Sequence, residues 1–290
     1  MNILILSAST GGGHMRASKA IEGYMTQQNK DINVKIVDSL LYISPILNKT
    51  ITSGYVYLAT KTPKLYGKLY DLTNKEHRLA NFVTRLNNIF ANKLLPLIDD
   101  FRPDVIITTH PFPTEMVSRL KSKGEINIPL ICIMTDYAPH KAWINKKVDA
   151  YIVANDDMVG KMINEGVDVN TIYPYGIPID EIFFEEKEKQ LVLEELGFDK
   201  SLQTILMMAG SFGVTNVFDV YENIIDIDLD FQIILVTGRN QKLYNNFEKV
   251  IDDSPKKTKL IYFTDEINKY MQASDIIITK PGGLTVTEAL

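Results

Sequence analysis

The chain has 290 residues, 45% of them hydrophobic and 23% charged, and a formal net charge of −5, a balance expected of a globular protein with room for about two domains. Acidic charge without a stripe of arginines argues against nucleic-acid binding, and no uninterrupted apolar run reaches membrane-span length. The single cysteine, Cys132, excludes a disulfide framework and, inside the apolar run 130–134, reads as a core thiol.

The N-terminus, Met1-Asn2-Ile3-Leu4-Ile5-Leu6, lacks the basic region of a signal peptide, so the expected home is the cytoplasm. Short apolar runs then alternate with helix-period segments, the pattern of βαβ units and a parallel sheet. Strands are predicted at Ile3–Ser7, Val34–Val37, Val105–Thr108, Pro129–Met134, Ala150–Val153 and Thr171–Tyr173. A second series is predicted at Thr204–Met208, Gln232–Val236, Lys259–Tyr262 and Ile276–Thr279. Between the first two strands Ala17, Ala20, Ile21, Tyr24 and Met25 form one apolar helix face.

The first strand runs into Ser9-Thr10-Gly11-Gly12-Gly13-His14. A dinucleotide fingerprint fails here: a G-x-G-x-x-G run begun at Gly11 puts Arg16 in the third glycine position, and one begun at Gly12 puts His14 in the second. What remains is a glycine turn that admits a ligand or backbone, with His14 at a helix start. The positive end of the helix dipole keeps that imidazole neutral, so His14 is either a catalytic base or a capping residue.

Residues 39–70 contain Lys49, Lys61, Lys64 and Lys68, no acidic residue, and Tyr42, Tyr55, Tyr57, Tyr66 and Tyr70. Composition leaves two readings for this stretch, a helical insertion with solvated lysines or a membrane-docking surface. The charge is also divided along the chain. Residues 1–175 hold 20 Lys and Arg against 16 Asp and Glu; residues 176–290 hold 11 against 20.

After the fourth strand come Thr135-Asp136-Tyr137-Ala138-Pro139-His140-Lys141-Ala142-Trp143. Pro139 argues against one helical face carrying both Asp136 and His140, so no zinc site of that kind is expected. The loop is either an acceptor-pocket wall, or a structural turn with Trp143 in the core and Asp136 as a cap. Thr109-His110-Pro111-Phe112, at another strand end, is expected to be structural. A break follows Gly176-Ile177-Pro178-Ile179-Asp180, giving expected domains 1–180 and 181–290.

In the second part, Met208-Ala209-Gly210-Ser211-Phe212-Gly213 and Val236-Thr237-Gly238-Arg239-Asn240 are strand-to-glycine turns, and Thr279-Lys280-Pro281-Gly282-Gly283-Leu284-Thr285-Val286-Thr287-Glu288 is a third. Such turns open helices whose free N–H groups cradle phosphate. Together with Lys280 and Glu288 they point to a nucleoside diphosphate. No G-x-x-x-x-G-K-[ST] occurs, which excludes a P-loop NTPase.

In these combined motifs the chain resembles the diacylglycerol glycosyltransferases, the bacterial processive diacylglycerol glucosyltransferases and monogalactosyldiacylglycerol synthases, which in turn resemble the N-acetylglucosaminyltransferase that forms lipid II. The resemblance runs through the 9–14 turn, Thr135-Asp136 with His140 and Trp143, Gly176-Ile177-Pro178-Ile179, Met208-Ala209-Gly210, Gly238-Arg239-Asn240 and 279–288. It implies an α/β GT-B fold of two Rossmann-like doubly wound domains facing a cleft. The first would be the lipid-acceptor domain, docked peripherally on an anionic membrane through the 39–70 segment; the second would bind the UDP-sugar.

By the same resemblance the reaction is inverting transfer of a hexose, glucose in preference to galactose, to diacylglycerol. His14 is implied as the base and Asp136 as its orienting or charge-balancing partner. Gly210, Ser211, Gly238, Arg239, Lys280, Gly282, Gly283, Leu284, Thr285 and Glu288 are implied on the donor, with Glu288 at the ribose hydroxyls. Gly12, Gly13, His140 and Trp143 are implied on the acceptor. No metal or other cofactor is expected, because helix dipoles carry the charge of the departing UDP. Relatives continue past Glu288 with further strand–helix units, so the C-terminal domain is expected to be incomplete and this chain by itself poorly stable or inactive. A UDP-sugar sensor, an inactive remnant and a transferase for a polyprenyl-linked acceptor are the alternative readings.

Overall fold

The computed structural model describes residues 1–9, 12–44, 90–209, 217–280 and 282–290. The sequence assignments at Gly11, Gly210, Ser211, Gly213 and Pro281, and the docking segment from residue 45 to 70, lie outside the described residues.

All ten predicted strands form, each within one residue of its expected bounds: β1 (Asn2–Ser7), β2 (Asn33–Asp38), β3 (Val105–Thr108), β4 (Leu130–Ile133), β5 (Ala150–Ile152), β6 (Ile172–Tyr173), β7 (Gln203–Met208), β8 (Phe231–Val236), β9 (Thr258–Ile261) and β10 (Ile276–Thr279). They make two parallel sheets, ordered β2-β1-β3-β4-β5-β6 and β10-β7-β8-β9.

The strands read as continuous apolar runs because both faces of each sheet are covered. In β1 the side chains alternate: Leu4 and Leu6 enter one core with Trp143, Tyr151 and Met116, while Ile3 and Ile5 enter the other with Ile21 and Ile107. The second sheet repeats the division. Leu206, Met208, Ile234 and Val236 pack on one side with Val192, Leu193 and Met271; Ile205, Met207, Ile233 and Leu235 pack on the other with Tyr221 and Phe247. Each such aliphatic side chain contributes about 1.5–3 kcal/mol by leaving water.

The chain divides into two compact units. The first comprises residues 1–180 with 282–287, the second residues 181–281 with 288–290. The sequence put 282–287 wholly in the second domain; packing counts them with the first, because Leu284 lies against Gly13 and Gly283 against Thr135. That contact joins positions far apart in sequence, so no local pattern announces it.

Strand order locates the functional edge of each unit. In the first sheet the chain leaves β1 toward β2 and then crosses to β3 on the other side of β1. In the second it leaves β7 toward β8 and β9, then returns to β10 on the other side of β7. Where successive connections diverge, the carboxyl ends of the neighbouring strands open a crevice. Those ends are Ser7 with Thr108 in one unit, and Met208 with Thr279 in the other.

Candidate functional site

At the first of these crevices the helix Gly12–Gln28 begins, holding itself to the sheet through buried Ala17, Ser18, Ala20 and Ile21. Its anchor is a ladder of buried hydroxyls. Thr109 Oγ1 donates to Ser7 Oγ at 2.8 Å and lies 2.9 Å from Ser18 Oγ. Ser18 and Thr109 also reach the backbone carbonyl of His14, at 3.0 and 3.1 Å. Helix, first strand and third strand are thereby fixed around residue 14.

The His14 ring is held by the same elements. Its Nδ1 lies 2.9 Å from the Thr109 carbonyl oxygen and 2.7 Å from Thr135 Oγ1. A carbonyl oxygen can only accept, so the ring proton sits on Nδ1 and the lone pair on Nε2. Burial lowers the His14 pKa; the Asp136 carboxylate and the Thr109 hydrogen bond oppose that without reversing it. The imidazole is therefore neutral near pH 7, with Nε2 available as a proton acceptor.

Around it stand two further rings. His110 packs edge-on at 4.6 Å between centroids and an interplanar angle of 79°, and Trp143 lies at 6.2 Å. Trp143 is 1% exposed and belongs to the core; its indole N–H donates to Asp136 Oδ2 at 2.9 Å. Asp136 itself is exposed. The indole thus aims a solvent-reachable carboxylate instead of presenting its face. His140 caps the short turn Lys141–Trp143, its Nδ1 accepting from the Ala142 N–H at 3.1 Å. Burial lowers its pKa against the pull of Asp136.

Thr135 is the hinge of the arrangement. Its hydroxyl meets His14, and its carbonyl oxygen faces Gly283 so closely that a Cβ there would overlap it. The helix Gly283–Ala289 starts at that point, Tyr137 Oη lies 3.0 Å from Thr287 Oγ1, and a Cβ on Gly13 would stand 3.5 Å from Leu284. His14, Gly13, Asp136, Trp143, Gly283 and Leu284 are therefore gathered around one loop, with Gly12 at the helix start and Gly282 and Thr285 beside them in sequence.

In the second unit Gly238 follows β8 with φ 64°, a left-handed turn that favours glycine. Arg239 lies over the Phe263 ring at 4.4 Å, and Asn240 caps the next helix by accepting from the Leu243 N–H. Lys280 is exposed after β10, and Glu288 is buried.

Sequence reasoning set His110 aside as structural. It also left Trp143 open between pocket wall and core, and gave Thr109 and Thr135 no role at His14, because their contacts with it span 95 and 121 positions.

Known proteins resemble this chain in sequence and in fold. Residues 14–179 match the family Monogalactosyldiacylglycerol (MGDG) synthase, and residues 204–290 the Glycosyltransferase family 28 C-terminal domain. A processive diacylglycerol beta-glucosyltransferase of Staphylococcus epidermidis is 32% identical over 290 residues, covering 99% of this chain and 72% of the relative. One of Staphylococcus aureus strain MRSA252 is 32% identical over 295 residues with the same coverage. Among solved structures, MurG of Acinetobacter baumannii superposes with a TM-score of 0.61 at 14% identity, covering 99% of this chain and 75% of that one. MnaA of S. aureus in complex with UDP gives 0.58 at 15%, covering 99% and 76%. These likenesses fix the fold as GT-B, two Rossmann-like α/β domains.

Proposed function

Since the chain belongs to the monogalactosyldiacylglycerol synthase family of glycosyltransferases, we propose that it transfers a hexose, glucose by preference, from a UDP-sugar to diacylglycerol, forming a β-glycosyldiacylglycerol. The observation that carries this reading is the neutral His14 imidazole, with Nδ1–H tied to the Thr109 carbonyl and Nε2 left basic at the carboxyl edge of the first sheet.

In this reaction the acceptor hydroxyl attacks the anomeric carbon from the face opposite the leaving group. Nε2 takes the hydroxyl proton as the new C–O bond forms, and the bond to the UDP oxygen breaks with inversion. His14 becomes an imidazolium, and the Asp136 carboxylate, aimed by Trp143, offsets that charge. The departing diphosphate is received by N–H groups at the glycine turns, and helix dipoles balance it without a metal. The crevice at the ends of β7 and β10, flanked by Gly238, Arg239 and Lys280, is the proposed nucleotide site, with the buried Glu288 carboxylate at the ribose.

Diacylglycerol resides in a membrane, and we propose peripheral docking. No helix among the described residues is long and apolar enough to cross a bilayer. The helix Ser39–Ile43 exposes Leu41 and Tyr42 and leads into the basic, tyrosine-rich stretch read from the sequence. Incubation of the purified protein with labelled UDP-glucose or UDP-galactose and vesicles of diacylglycerol or of a polyprenyl-linked acceptor, followed by product mass and anomeric configuration, tests the proposal. An α-linked product, or transfer only to the polyprenyl lipid, would overturn it.

Asp136→Asn separates charge from geometry, because the amide oxygen still accepts from Trp143. Removal of the carboxylate takes away the largest influence raising the His14 pKa. The expected result is a loss of about tenfold in kcat, with the acidic limb of the pH–rate profile displaced to lower pH.

A further inference from the structure

We propose that His110 is a positioning residue for His14: its ring, pinned by a helix cap, packs edge-on against the imidazole and holds it with Nε2 turned to the acceptor. The inference rests on the reading of His14 as the base, and goes beyond it by assigning the neighbour that makes the base work.

His110 sits at the end of β3 in extended conformation, φ −145° and ψ 141°, as the N-cap of the helix Pro111–Ser122. Pro111, the first helical residue, has no N–H to satisfy. The cap therefore serves the next residue, whose N–H donates to His110 Nδ1 at 3.1 Å. At the other side Thr114 Oγ1 donates to the His110 carbonyl at 2.8 Å. Most caps use a short oxygen-bearing side chain; here an imidazole does the work, which makes its ring a fixed wall.

That bond also decides the protonation of His110. A ring nitrogen that accepts an N–H has no proton, so the single proton lies on Nε2, and a second could be added only by breaking the cap. Burial, and the His14 ring beside it, hold the His110 pKa well below the ordinary histidine value. The wall is therefore uncharged near pH 7, as the His14 ring is. A charged neighbour 4.6 Å away would oppose the imidazolium that the reaction needs; a neutral one excludes water and constrains rotation. Among the described residues, the other groups facing the His14 ring are the Asp136 carboxylate, the Thr109 carbonyl, the Thr135 hydroxyl and the Trp143 ring. Asp136 is the one charged group among them.

The test uses two substitutions that divide ring from cap. Asn is as good an N-cap as any residue, so His110→Asn keeps the helix start and removes the ring. His110→Phe keeps a ring and removes the cap. In His110→Asn the imidazole titration of His14, followed by NMR and identified by its loss in His14→Ala, is expected to move to higher pH as water gains access. The acidic limb of the pH–rate profile should move with it, and kcat should fall about tenfold with the KM for UDP-sugar unchanged. In His110→Phe the melting temperature should fall while the His14 titration stays low.

An unchanged His14 titration in His110→Asn, or an equal displacement in both variants, would overturn the assignment. The NMR readout needs no turnover. Absence of hexosyl transfer by the unaltered protein would remove the functional reading while leaving the ring contact tested.

Discussion

Replacement of His14 by Ala is expected to lower the rate of hexosyl transfer about 10³-fold, the middle of the range for loss of a positioned general base, while the dissociation constant for UDP-glucose stays at its original value. Both halves follow from where the residue stands. The Nδ1 contacts with Thr109 and Thr135 are lost with the ring, but the backbone carbonyl stays held by Ser18 and Thr109. The helix start keeps its anchor; the proton acceptor disappears. Steady-state kinetics beside calorimetric titration with UDP-glucose separate the terms. A UDP-sugar sensor would bind equally well with either residue and have no turnover to lose, and a variant that transfers hexose at the original rate would remove His14 from the chemistry.

The second large effect is expected at Gly283. A Cβ there would overlap the Thr135 carbonyl oxygen and stand 3.1 Å from its carbon and 3.4 Å from Asp136 Cα. All three are backbone atoms, which cannot swing aside as a flexible side chain could. Gly283→Ala must therefore displace either the start of the helix or the loop that positions His14 and Asp136. The stability cost is about 1–3 kcal/mol, as for other overpacking. The rate should fall about 100-fold, since an ångström of misplacement is enough for that. Gly282 is the steric control: a Cβ there meets nothing within 4 Å, and Gly282→Ala should change unfolding free energy by no more than about 0.5 kcal/mol. Equal unfolding midpoints for the two alanine variants would show that the loop yields freely.

The fold was legible because the central strands are buried on both faces and so appear as uninterrupted runs: Ile3, Leu4, Ile5 and Leu6 are each at most 1% exposed. Glycines at strand ends marked the carboxyl edges of both sheets. The roles within the site were less legible. Trp143 could be read either as a wall or as core until its indole was seen to donate to Asp136. His110-Pro111 looked like simple helix punctuation, and it is that, yet the same ring lies against His14. Contacts between strand ends depend on sheet order, and a neutral histidine serving as a cap carries no composition signal. Gly283 was read as a phosphate cradle; the space it leaves for Thr135 is visible only once the two backbones are placed.

The position of β1 has a further consequence during synthesis. It lies between β2 and β3, and the side chain that caps its first N–H, Asp104, comes 102 positions later. At translation rates of roughly 5–20 residues per second, one flank of this apolar strand stays unpaired for about 5–20 s. Throughout that interval it offers open N–H and C=O groups to any other extended chain. Nascent molecules should thus be most prone to clumping before Val105–Thr108 emerges, and a trigger-factor-like holdase acting in that window would raise yield more than one supplied after release.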